Sequence, residues 1–141
     1  MAQEGLLAAA LAAALALPAS CDLPRDPEGT IQRVAGDRLT AIRVAPALTE
    51  AEAAALAALA QGLGAEVVLR DEDIHEAVAA LRAGTAEVAL GAIPADSPHA
   101  PEAAATRPVG RERFVLLLPP GENALLLAAN RAVARAAEAG P

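Results

Sequence analysis

The chain opens on a run without a polar side chain: residues 6–17 are twelve consecutive leucines and alanines, closed by Pro18. No 3.6-residue period separates a polar face from an apolar one, so the run does not read as a packed amphipathic helix. It falls short of the roughly 20 residues a helix needs to cross a bilayer and matches the apolar centre of a secretory signal. A signal peptide is therefore expected over residues 1–20. Pro24, Pro27 and scattered charges then interrupt any period, which predicts a tether over 21–37 with one short helical turn from Thr30.

Periodic segments begin after Asp37. Residues 39–44 alternate toward Ile42 and Val44 and predict a first strand; Thr49 and Glu52 form a capping box that starts a helix to about Leu63, with Leu56, Leu59 and Leu63 on one face. Gly62 and Gly64 end that helix, and residues 66–69 predict a second strand short enough to be buried on both faces. Asp73 with Glu76 caps another helix, whose Ile74, Val78 and Leu81 share a side and which Gly84 terminates. Residues 86–92 predict a third strand, 93–111 a long connection, and 114–118 a fourth strand closed by Pro119, Pro120 and Gly121. A last helix opens at Glu122 or Asn123 and runs to about Ala137, with Leu126, Leu127 and Val133 toward the sheet and Arg131 and Arg135 near its negative end.

Strands alternating with helices predict an α/β domain over 38–141: a mostly parallel four-stranded sheet, the first strand central, with flanking helices. Without residues 1–20 about 120 remain, the length of one domain. With one Phe and neither Trp nor Tyr, the core must be aliphatic, and no row of aromatic rings is available to hold a ligand. A net charge of −7 without a basic stripe excludes nucleic acid as a partner. The single cysteine excludes an internal disulfide.

Candidate chemistry is sparse. His75 and His99 lack a ligand spacing, so no metal is expected; Asp71, Glu72, Asp73 and Glu76 fit the start of a helix, or else attract a cation. Ser97 is the only serine after the signal run and sits in no nucleophile elbow, and Gly84 and Gly91 form no phosphate loop. No enzyme and no cofactor are expected.

Ala19 and Ser20 directly before Cys21 resemble the lipobox of bacterial lipoproteins, although Pro18 stands where leucine is usual and residues 1–5 hold no basic side chain. The resemblance implies that Cys21 receives a diacylglycerol, becomes the new N-terminus and carries acyl chains such as palmitate. Two or three chains hold firmly where one binds only marginally. The domain would then work outside the cytoplasm, lipid-anchored at a bacterial cell envelope.

A second resemblance spans most of residues 21–138. The segment CDLPRDPEGT at 21–30, a strand ending in Ile42, Arg43 and Val44, the helix–turn–strand at 76–91, Thr106-Arg107-Pro108, and the segment at 115–124 resemble, in order, the family 3 extracellular solute-binding proteins of ABC importers. That likeness implies a periplasmic-binding-protein-like (type II) fold whose two lobes close on a ligand. Here only one lobe's worth of chain is present, and the second lobe is missing between residue 108 and the return strand. Residues 45–48 shorten a loop that carries an aromatic contact in the family. The position of the family's carboxylate-gripping arginine falls near Pro98, beside His99.

Asp96 and Ser97 are candidate ligand acceptors at the C-terminal edge of the sheet, or simply turn residues. Arg107 is a candidate carboxylate contact, or a solvated surface charge. The implied function is that of a membrane-anchored solute-binding component of an ABC importer for amino acids or similar small polar solutes. An ABC permease or a homologous full-length binding protein would be its partner. The alternative is a degenerate, non-binding lobe that acts as a protein–protein interaction module in the cell envelope.

Overall fold

Period-two alternation along the strands sorts the core into two layers. In a computed structural model, which describes residues 23–140, Leu39 and Ala41, Val88 and Leu90, and Leu116 and Leu118 face one side of a sheet. Ile42, Ala89, Val115 and Leu117 face the other. The signal run and Cys21 lie outside the described residues.

The elements, in chain order, are α1 (Thr30–Val34), β1 (Arg38–Arg43), α2 (Glu50–Leu63), β2 (Glu66–Asp71), α3 (Ile74–Ala83) and β3 (Val88–Leu90). A 3₁₀ turn (Ala100–Glu102), β4 (Ala104–Ala105), β5 (Leu117–Leu118) and α4 (Asn123–Glu138) follow. The strand order is β2-β1-β3-β5-β4. β1 pairs in parallel with β2 and β3, while β5 is antiparallel to both β3 and β4. Four of the five strands thus point the same way, which makes the sheet mostly parallel with β1 between its two early partners, as the sequence predicts.

Helices α2 and α4 cover one face and α3 the other. Ala55, Ala60, Ala129 and Ala132 lie in the layer shared by α2 and α4, where small side chains let the two helices approach closely. Both predicted caps form. Thr49 accepts from Glu52 N and Glu52 returns the contact, and Asp73 accepts from His75 N and Glu76 N. Gly64 and Gly84 close α2 and α3 with φ of 62° and 73°, the left-handed geometry glycine adopts freely.

Three expectations are corrected. The sheet has five strands, because Ala104 and Ala105 add a short one whose two alanines carry no β-strand signature. β2 is an edge strand with Leu69 44% exposed, so it is not buried on both faces. The buried side of α4 is Leu125, Ala129, Ala132 and Val133, while Leu127 is exposed; Leu125 N donates to Asp26 Oδ1 at 3.0 Å, which fixes where the helix begins.

That last contact belongs to a reciprocal clamp. Asp26 Oδ2 also accepts from Ile31 N at 3.1 Å, so one carboxyl caps both α1 and α4. Buried Glu122 accepts from Glu28 N at 3.0 Å and Thr30 N at 3.3 Å, and Arg25 O accepts from Asn123 N at 3.0 Å. Residues 25–34 are therefore part of the folded unit, where composition alone read a tether to 37.

Glu87, at the entry to β3, is buried, and its Oε2 accepts from Thr40 N at 2.7 Å. Burial pushes its carboxyl above the ordinary glutamate range, against the lowering effects of that hydrogen bond and of Arg33 and Arg70. A raised folded value means the protonated form is favoured in the fold. Its stabilising contribution is full below the unfolded value and is lost as pH rises through the folded one. Replacing Glu87 with Gln, which keeps an acceptor for Thr40, should therefore make the variant progressively more stable relative to the parent across that rise. Urea unfolding of both chains at a series of pH values checks this; a stability difference independent of pH would contradict it.

Candidate functional site

Open α/β sheets bind ligands beyond the C-terminal ends of their parallel strands. Because β4 runs in the same sense as β1–β3, this edge gathers the loops after β1, β2 and β3 and the turn that follows β4.

Its centre is Glu52, fully buried at the third position of α2. Oε1 accepts from Gly91 N at 3.1 Å and Ala92 N at 2.9 Å; Oε2 accepts from Thr49 N at 2.9 Å and Thr49 Oγ1 at 3.1 Å. One side chain thus joins the start of α2 to the exit of β3. Gly91 adopts φ 123°, and a Cβ there would lie 2.8 Å from Ala45 N, so the loops after β1 and β3 touch through backbone alone. Next to it, the non-glycine Ala92 has φ 55°, and Arg113 across the edge has φ 57°. Left-handed geometry costs an ordinary residue about 1–2 kcal/mol, and such strain concentrates at functional sites.

The turn after β4 is held from several sides. Thr106 N donates to Leu116 O, Leu116 N donates to Thr106 Oγ1 at 3.0 Å, and Arg107 N donates to Asn130 Oδ1 at 2.8 Å. Phe114, the sole aromatic side chain outside the histidines, bridges to both Pro94 and Val109. Arg107, Arg111 and Arg113 are all exposed, and none has a carboxylate partner within ion-pair distance among the described residues. An acidic chain therefore displays three free guanidinium groups within seven residues of this edge.

The predicted site residues share the edge without touching. Asp96 is exposed in a turn, and no hydrogen bond or ion pair joins it to Ser97 or Arg107. Ser97 is buried; its N donates to Pro94 O and its Oγ accepts from His99 N at 3.3 Å, which is the bonding of a turn residue. Arg107 presents an exposed side chain on a fixed backbone. The acidic cluster beside His75 serves structure: Asp73 caps α3, Asp71 takes Arg43 at 2.8 and 3.0 Å, and Glu72 takes Arg70 at 2.8 Å. His75 and His99 meet edge to face, 4.8 Å between centroids, and no set of three metal-ligating side chains forms among the described residues.

Sequence reasoning placed Glu52 in the capping box but missed its second pair of contacts, which join residues 39 and 40 positions apart. Nothing local signals them. Arg111 and Arg113 were legible as charges, and the structure places them, exposed, in the same turn as Arg107. A groove of about 470 Å³ lies away from this edge, lined among others by Thr30, Arg33, Arg82 and Glu122.

No family model matches the chain, and no curated protein matches it in sequence. Two solved structures match it in fold. One is the arginine-bound form of domain 1 from TmArgBP, 14% identical with a TM-score of 0.56, covering 70% of this chain and 92% of that one. The other is a point mutant of the same arginine-bound domain, 13% identical with a TM-score of 0.61, covering 79% and 98%. At these identities the likeness is one of fold: this chain has the architecture of a single periplasmic-binding-protein-like lobe.

If the Glu52 carboxyl holds the edge, exchanging it for an amide places a donor against backbone donors. Glu52→Gln should lower stability by about 2–3 kcal/mol in urea unfolding. A loss below about 0.5 kcal/mol, the level of an ordinary surface change, would contradict this.

Proposed function

We propose that this chain is the solute-binding lobe of a lipid-anchored ABC-importer component for amino acids or similar small polar solutes, resembling the family 3 extracellular solute-binding proteins. The observation that carries the reading is the fold match: nearly the whole of a domain described as arginine-bound superposes on this single lobe. A lobe of this architecture therefore has a precedent for holding an amino acid.

The chemistry of the edge suits such a solute. Arg107, with Arg111 and Arg113 exposed in the same turn, offers charge-assisted donors to a carboxylate, and exposed Asp96 offers an acceptor to an ammonium. Eleven residues, 106–116, carry the chain from β4 to β5, where the resembling family inserts its second lobe. An exposed arginine–carboxylate pair contributes only about 0–1 kcal/mol, so without a second wall to exclude water, affinity should be weak, roughly millimolar. Cys21 anchors the chain outside the cytoplasm in this reading.

A second reading is favoured by the openness of the edge. Three exposed arginines on one turn, without an ion-pair partner among the described residues, suit an acidic protein surface, and the chain would then be an interaction module of the envelope.

Titrating the chain with arginine and a panel of other amino acids, followed by NMR shifts, should move resonances at residues 91–97 and 107–113, and Arg107→Ala should weaken that response at least several-fold. Silence across the panel would overturn capture and leave the module. In cells, Cys21→Ser should release the protein from the membrane fraction; unchanged membrane association would remove the anchor.

A further inference from the structure

β2 leaves one side of the sheet open. It is the outermost strand, and among the described residues nothing pairs with its outer side. Glu66 N donates inward to Asp37 O and Glu72 N inward to Arg43 O, so even-numbered residues bond to β1. The N–H and C=O groups of Val67 and Leu69 consequently point outward. The strand carries neither proline nor glycine, Leu69 is 44% exposed, and Val67 and Val68 are half-buried. Such an edge is a template for another strand.

Its charges specify which strand. Glu66 and Arg70 lie on one face of β2 with Val68 midway between them. In an antiparallel pair of two copies with the two-fold axis at Val68, Glu66 of each copy stands opposite Arg70 of the other, and Val67 stands opposite Leu69. Moving the axis to Leu69 would set Glu66 against Glu72 and Val67 against Asp71. Only the first arrangement gives opposite charges at both ends and apolar pairs between. The Arg70 side chain is 40% exposed, with its Nη2 held 2.8 Å from Glu72 Oε1, so its guanidinium is reachable from across such a junction.

We propose that β2 is a homodimer interface, in which two copies join their sheets antiparallel about Val68 into one ten-stranded sheet. Val67 and Leu69 exchange backbone hydrogen bonds across the junction. Val68 meets its counterpart as a non-hydrogen-bonded pair, with Cα atoms about 4.5 Å apart.

That spacing falls within disulfide range. In the full chain with Cys21→Ser, which leaves the introduced thiol as the sole one, Val68→Cys should cross-link under mild oxidation far more completely than Ala57→Cys on the exposed side of α2. Glu66→Arg and Arg70→Glu, measured separately by sedimentation, should each weaken self-association roughly tenfold by setting like charges opposite. Mixing the two single variants restores opposite charges at both contacts and should restore the dimer, a result that misfolded chains would not give. Cross-linking of Val68→Cys no greater than the Ala57→Cys control, or single variants that fail to recover on mixing, would overturn the proposal.

Discussion

The exit of β3 and the entry of α2 are held together by one buried side chain, and the geometry of the C-terminal edge depends on it. Glu52 receives four hydrogen bonds, from Gly91, Ala92 and twice from Thr49. Left without them, its carboxyl would cost far more to bury than a hydrophobic residue of the same size. With them, it fills the anion-attracting start of α2 from inside the protein. A solute at this edge would therefore find the amides of Gly91 and Ala92 already engaged by Glu52.

A second carboxyl pair acts over greater separation. Asp26 caps α1 and α4 together while Glu122 takes the amides of Glu28 and Thr30, so the N-terminal segment and the last helix stabilise each other across more than ninety residues of chain. α4 is in turn packed on α2, whose first turn carries Glu52. The start of the described chain, its end and the candidate site belong to one cooperative layer on one face of the sheet. The opposite face is covered by α3 together with Ile93 and the alanines at and after the 3₁₀ turn, and β2 is left as an open margin.

Elements bounded by strong local signals were legible in the sequence. Thr49 with Glu52, Asp73, Gly64 and Gly84 mark the two inner helices, and the β-branched residues around Ile42 mark the central strand. What escaped was set by tertiary contact. Ala104 and Ala105 form a strand only because Leu117 and Leu118 offer a partner, and α4 buries Leu125 rather than Leu127, with Leu125 N bonded to Asp26. Of the candidate site, Arg107 sits as an exposed guanidinium on a fixed backbone, whereas buried Ser97 is bonded as a turn residue. Arg111 and Arg113 joined the site once the Val109–Phe114 bridge showed that the turn carrying Arg107 closes on itself.

Amide hydrogen exchange at Gly91 and Ala92 tests the role of Glu52 most directly. Neither residue lies in a strand and Ala92 is exposed, yet both amides should exchange as slowly as that of Ile42 in the central strand. Exchange at the rate of a solvent-facing loop amide such as Ala47 would show that the carboxyl does not hold this edge.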